Sequence, residues 1–211
     1  MNIQSNYSEG ELDFIREMMN IGSGNAGTAL AQFLNVPVEL LLPEIYAVPV
    51  HKVVRLIGEP GTPVTCARMR LLGDIKGNLL SIIPESQRRY FTELTKDAML
   101  KNCVLNEDME RSMLLEIANI IAGVFLTSLH DASGWNIYHM VPELSTDMLQ
   151  AVLAEPILEG RQAQLALVIM ERLLIGHQQI DLHLVVIASE DSLDMLFSKK
   201  GRSFVSGQSK S

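Results

Sequence analysis

Apolar residues recur at helical spacing from Leu12 to about Phe33, just after Glu9-Gly10-Glu11, and the same periodicity returns from Asp108 to about Asp131. Each stretch predicts a long helix with one buried side. Residues 36 to about 56 are rich in Val, Leu and Ile but punctuated by Pro37, Pro43 and Pro49, which predicts short or edge strands, because proline cannot donate to a sheet ladder. Residues 64–72 and 78–83 flank Gly73-Asp74-Ile75-Lys76-Gly77, a hairpin with glycines at its corners. Pro84 then opens a helix to about 102, at a first-turn position where its missing N–H has no helical partner. The second half replays this order. Residues 164–175 and 180–188 form a hairpin around Gly176-His177-Gln178-Gln179, and Ser189, as N-cap, starts a helix to about Phe197. From Lys199 the chain turns to Lys, Ser, Gly and Gln, so 199–211 is expected to be a flexible tail. Helix–hairpin–helix written twice, with mostly antiparallel connections, is an α+β pattern. A single domain over 1–198 is expected, its repeats (about 9–102 and 108–198) related by a pseudo-two-fold and sharing one largely antiparallel sheet.

The duplication reaches individual residues. Asp13, Glu17, Asn20 and Pro43 recur as Ser112, Glu116, Asn119 and Pro142 at one constant offset (116 − 17 = 99). Between Asn and Pro the halves also share Ile21/Ile120, Gly24/Gly123, Thr28/Thr127 and Leu30/Leu129. At about 100° per residue, Asp13, Glu17, Asn20, Gly24, Thr28 and Ala31 fall on one narrow stripe, opposite Ile15, Met19, Gly22, Ala26 and Phe33. In the second helix Ser112, Glu116, Asn119, Gly123, Thr127 and His130 make the stripe, with Leu114, Ala118, Ile121 and Phe125 behind. The shared Glu, Asn, Gly and Thr all lie on the stripes, whereas the core positions differ in size and shape. A core need only be filled; this surface has been kept in detail.

A single Glu-x-x-Asn is an ordinary solvated helix face. Asn in mid-helix, however, competes for backbone hydrogen bonds, and here it stands at the same place in two helices. The glycine one turn on costs about 1 kcal/mol relative to Ala and clears space for another surface. Glu and Asn three apart sit roughly 5–6 Å from one another at Cβ, so both can enter one cleft. Asn cannot act as a base, but its amide can both donate to and accept from a water, as the water-positioning Gln of small GTPases does. Glu suits pairing with a cation on a partner.

Bulk properties narrow the field. The chain has 211 residues, 47% of them hydrophobic, enough for a sizeable core. A net charge of −8 excludes a nucleic-acid-backbone binder. The N-terminus lacks a signal-peptide pattern, and Glu116 and Asn119 interrupt the most apolar run, so neither secretion nor a membrane span is expected. Cys66 and Cys103 lie far apart and read as structural thiols in a reducing, cytoplasmic setting. The five histidines show no metal-ligand spacing, no Gly-rich loop follows a strand, and no Ser or Cys nucleophile arrangement is present. His130 reads as a helix terminus, and Trp135, Asn136 and Tyr138 as packing residues.

The signature Asp/Ser-x3-Glu-x2-Asn-x22-Pro resembles that of the CheC/CheX/FliY phosphatases of bacterial and archaeal chemotaxis. The segment from Glu17 through Asn20 to Ala26 is similar to the first CheC motif, and Glu116-Ile117-Ala118-Asn119-Ile120 to the second. Two intact motifs without the additional switch domain expected of FliY place CheC nearest. The resemblance implies hydrolysis of the aspartyl phosphate on a CheY-type response regulator. Asn20 and Asn119 would orient the attacking water, and Glu17 and Glu116 would pair with a regulator lysine. Asp13, Gly24, Pro43, Ser112, Gly123 and Pro142 would support the motifs. The required Mg²⁺ would be held by the regulator, leaving no cofactor on this chain. CheC proteins also bind the deamidase CheD, which the resemblance therefore offers as a second partner. The alternative is a non-catalytic adaptor that binds a receiver domain or CheD through the same ridges.

Overall fold

Strands β4 (Gly77–Pro84) and β8 (Gln178–Ala188) are apolar over most of their length rather than alternating, a pattern that only burial on both faces satisfies. The computed structural model, which describes residues 9–89, 92–93, 106–159 and 165–197, sets them side by side at the centre of one eight-stranded antiparallel sheet, with Leu80 opposite Val185. On one side follow β7 (Leu165–Ile175) and, paired to it, β1 (Val38–Leu40) and β2 (Glu44–Pro49). On the other come β3 (Pro63–Gly73) and, paired to that, β5 (Ile137–His139) and β6 (Glu143–Met148). The short strands are at the edges, as the prolines predicted for β1 and β2; β5 and β6 were not predicted.

The bounds of β1 and β2 recur 99 residues on as those of β5 and β6. The same offset relates the two helix ends: Asn35 (φ 54°) follows α1 (Glu9–Leu34), and Gly134 (φ 75°) follows α3 (Glu107–Ser133), each in the left-handed region that stops a helix. At its start α3 is capped by Asn106, whose side chain accepts from the Met109 N–H at 2.8 Å. Each repeat lends its short strands to the other repeat's hairpin, β1 and β2 lying on β7 and β5 and β6 on β3. The halves are therefore interlocked in one sheet.

Alternation along the strands feeds two cores. Leu79, Ile83, Leu184 and Val186 face a layer of α1, α3 and α5 (Glu190–Phe197). Leu80, Ile82, Val185 and Ile187 face the opposite layer, where a 3₁₀ turn (Val50–Lys52) runs into α2 (Val53–Ile57) beside α4 (Leu149–Glu159). This second layer corrects the expectation of strand as far as residue 56, since β2 ends at Pro49 and the chain is helical from Val50. Helix α4 was not among the predicted elements; Pro156 lies inside it, and Leu149, Leu153 and Pro156 are spaced i, i+4, i+7 and are all buried. Its far end is tied down by Arg68, which pairs with Glu155 (2.9 Å) and Glu159, and by Arg70 to Glu159 (3.0 Å).

Further corrections concern turns, spans and a helix start. Strand β8 begins at Gln178, so the second hairpin turns on Gly176-His177 alone, with Gly176 at φ 60°. Helix α3 is long and apolar enough to cross a membrane by length and composition, despite Glu116 and Asn119. Here its apolar side is buried, with Leu114, Ile117, Ile121, Phe125 and Leu129 in the core. Pro84, expected in the first turn of a helix, instead ends β4 opposite Val64, and of that helix residues 85–89 and 92–93 are helical. Its continuation to 102, Cys103 and the tail over 199–211 lie outside the described residues. Cys66 is buried, and burial pushes its thiol up to about 12, which fits a structural role.

One carboxyl sits in the core beneath α1. Glu171, 2% exposed, alternates with Ile169 and Leu173 on the helix-facing side of β7 and accepts a hydrogen bond from Ser23 Oγ at 2.8 Å. Burial pushes its titration up to about 7, with the Ser23 bond opposing that only in part. In the unfolded chain a glutamate titrates near roughly 4.3. Between those values the folded state holds a proton that the unfolded state has lost. Stability from this group is thus complete below the lower value and is lost as pH rises through the upper one. Glu171→Gln keeps an acceptor for Ser23 and removes the titration. Its stability relative to the wild type is expected to grow by about 2 kcal/mol between pH 5 and pH 8. Denaturant melts at both pH values measure this; a gap that does not widen would refute the assignment.

Candidate active site

Helix α1 presses Ile15, Met18, Met19, Ala26 and Leu30 into the core. Geometry then leaves Asp13, Glu17, Asn20, Gly24 and Thr28 exposed and Ala31 half-buried. Phe33, expected on the core side, is half-buried and packs against the core. On α3 the buried side is as predicted, Ser112, Glu116, Thr127 and His130 are exposed, and Asn119 and Gly123 are half-buried. The side chains of Glu17, Asn20, Glu116 and Asn119 make no hydrogen bond or ion pair with any described residue. Asp13 pairs with Arg16 one turn on (2.7 Å), an exposed contact of small energetic weight.

The two helices pack on each other with the N-terminal half of α1 beside the C-terminal end of α3; a Cβ at Gly22 would come 2.9 Å from Ser128 Oγ. The two Glu/Asn ridges therefore lie toward opposite ends of the helix pair. Beside the first, a cleft of about 510 Å³ between the helices is walled by Phe14, Glu17, Met18, Ile21 and Ala132. Ile21 is 61% exposed there, whereas its counterpart Ile120 is half-buried against the core. The repeats are alike in plan and unlike in surface.

The fixed spacing from Asn to Pro has a structural cause. After Asn35 reverses the chain, β1 returns alongside α1 so closely that a Cβ at Gly27 would lie 3.2 Å from the Val38 carbonyl oxygen. The loop from β1 to β2 then carries Pro43 to the rim of a groove of about 760 Å³ whose other wall includes Asn20, Gly24, Thr28 and Ala31. Asn20 and Pro43, remote in sequence, thus border one opening. Pro142 occupies the equivalent loop between β5 and β6. Thr28 Oγ1 donates back to the Gly24 carbonyl (3.1 Å), which uses its hydroxyl within the helix.

The motif glycines are not demanded by the chain's own packing, since a Cβ at Gly24 or Gly123 would meet nothing within 4 Å. His130 ends the second stripe in a structural role, its Nδ1 bonded to the Trp135 carbonyl at 2.8 Å. Trp135 is buried, as a packing residue should be, while Tyr138 is 62% exposed. Among the described residues no three His, Cys, Asp or Glu side chains are grouped to hold a metal ion.

The CheC-like family matches residues 11–45 and 109–146, two windows that contain the motif of each repeat from Asp13 to Pro43 and from Ser112 to Pro142. Over 208 residues the chain is 32% identical to the CheY-P phosphatase CheC of Bacillus subtilis (strain 168), covering 96% of this chain and 100% of that one. Its fold is similar to the crystal structure of Thermotoga maritima FliY, with a TM-score of 0.69 and 18% identity over 92% of this chain and 99% of that one. It is also similar to the FliM middle domain from H. pylori, with a TM-score of 0.66 and 13% identity over 91% and 99%. Both structural likenesses are of fold.

Because open space surrounds Gly24 and Gly123, replacing both by Ala should not destabilise the isolated chain. Each change is expected to stabilise its helix by up to about 1 kcal/mol, readable as a raised thermal midpoint. A lowered midpoint would show that the glycines serve internal packing after all.

Proposed function

The chain belongs to the CheC-like family, and on that footing we propose that it is a phosphatase hydrolysing the aspartyl phosphate of a CheY-type response regulator. The observation that carries this reading is the pair of Glu/Asn ridges, kept through the duplication and left without partners among the described residues on outward helix faces. The relative named as a CheY-P phosphatase supports it.

In this reading a regulator docks on one ridge at a time. The Asn20 or Asn119 amide accepts a hydrogen bond from a water and directs its oxygen at phosphorus, in line with the aspartyl oxygen that leaves. The P–O bond to water forms, the acyl P–O bond breaks, and the products are the regulator's carboxylate and dihydrogen phosphate. A neutral amide suits this task, because a carboxylate there would repel the phosphoryl oxygens. Much of the rate gain is orientational, since the water's freedom is removed before the barrier is reached. Glu17 or Glu116 pairs with a lysine of the regulator and holds the Asn in register. The Mg²⁺ that neutralises phosphoryl charge belongs to the regulator. Gly24 and Gly123 let the regulator's backbone approach.

Replacing Asn20 and Asn119 together by Ala should slow phosphate release from the Mg²⁺-supported phosphorylated regulator by roughly a hundredfold, with the fold intact because both side chains point outward. Each single change should leave partial activity. Full turnover by the folded double variant would reject the mechanism, and regulator binding without any hydrolysis by the wild type would make the chain an adaptor.

The glutamates should behave differently. Glu17→Gln with Glu116→Gln is expected to raise KM while sparing kcat, and to flatten the dependence of KM on salt, because an exposed ion pair is screened by added ions. Steady-state rates at several ionic strengths test this. A loss confined to kcat would place the glutamates in the chemistry instead.

A further inference from the structure

Leu42 and Val141 stand 99 residues apart, each immediately before a motif proline, and are 81% and 84% exposed, more than any other large apolar side chain among the described residues. Neither contributes to a core. Their identities differ between the repeats while their apolar character does not, which is what a contact demanding water exclusion, rather than a hydrogen bond or an exact shape, would keep. The following proline matters too. It holds the preceding residue in extended backbone, so each loop presents its aliphatic side chain in a restricted orientation, with part of the ordering cost of binding already met. Leu42 also borders the groove that contains Asn20 and Pro43.

We propose that Leu42 and Val141 are docking residues that grip the phosphorylated receiver domain from the loop side of each site, Leu42 at the rim of the groove whose helix wall carries Asn20, and Val141 on the equivalent loop of the other repeat. This rests on the phosphatase reading for the identity of the partner. The receiver must then offer an apolar patch in addition to the lysine that meets Glu17 or Glu116. The two contacts differ in kind: the glutamate's is ionic and weakens with salt, whereas the aliphatic one is hydrophobic and does not.

The test is a Leu42→Ser, Val141→Ser double variant assayed on a phosphorylated CheY-type receiver with Mg²⁺. KM should rise about tenfold, the scale of losing one buried aliphatic contact. kcat should stay within about twofold and the salt dependence of KM should parallel the wild type. The swap Leu42→Val with Val141→Leu should restore KM. An unchanged KM, or a loss confined to kcat, would overturn the proposal. Should the wild type release no phosphate, the phosphatase reading fails by itself. Docking is then judged by calorimetry with a beryllofluoride-loaded receiver: a tenfold weaker double variant sustains it, and equal affinities, or no binding by the wild type, overturn it.

Discussion

The architecture depends on the central pairing of β4 with β8. Because these strands are apolar on both faces, each face must be covered, and the chain does so with α1, α3 and α5 on one side and α2 and α4 on the other. The same pairing joins the repeats, and the edge strands complete the interlock by crossing to the opposite hairpin. A sheet built this way gives neither repeat a complete set of ladder partners of its own. Folding therefore couples the halves, and with them the two candidate sites.

That coupling sets where the chemistry can sit. Helices that must bury one side on a sheet and one flank on each other keep only a narrow outward strip, and Glu17, Asn20, Glu116 and Asn119 occupy it. The strip is rigid because the opposite side of each helix is packed, which suits groups whose task is to position. In the first repeat the seat of α1 includes the buried Ser23–Glu171 hydrogen bond, while the residue 99 on from Ser23 is the buried, apolar Ala122. The sites are thus supported differently underneath, and the cleft beside Glu17 and the greater exposure of Asn20 make them differ above as well.

Much was legible from residues alone. Helical periodicity placed both long helices and their outward stripes, since which side of a helix is apolar is a local property. Glycine and proline positions located the hairpins and demoted residues 36 to about 56 to short or edge strands, which holds as far as Pro49. The constant offset of 99 announced the duplication, which recurs in the bounds of the edge strands and in the left-handed residues that follow the long helices. The misses were also local in origin: Pro156 interrupts the helical signal of α4, and residues 50–57 continue the Val-, Leu- and Ile-rich composition of the strands before them.

Local periodicity thus accounts for the two long helices, the two hairpins, their repetition and the side of each long helix that meets the core, because these follow from the pattern within a few turns. That β1 and β2 join β7 while β5 and β6 join β3 is a matter of long-range packing, for any strand edge can complete an antiparallel ladder and the choice leaves no mark in either segment. The same packing decides that Pro43 comes to the rim of the Asn20 groove, that Leu42 and Val141 stay in solvent, and that Glu171 lies under α1. Each of these depends on which distant surface arrives beside a residue, and that is settled by the packing of the whole sheet.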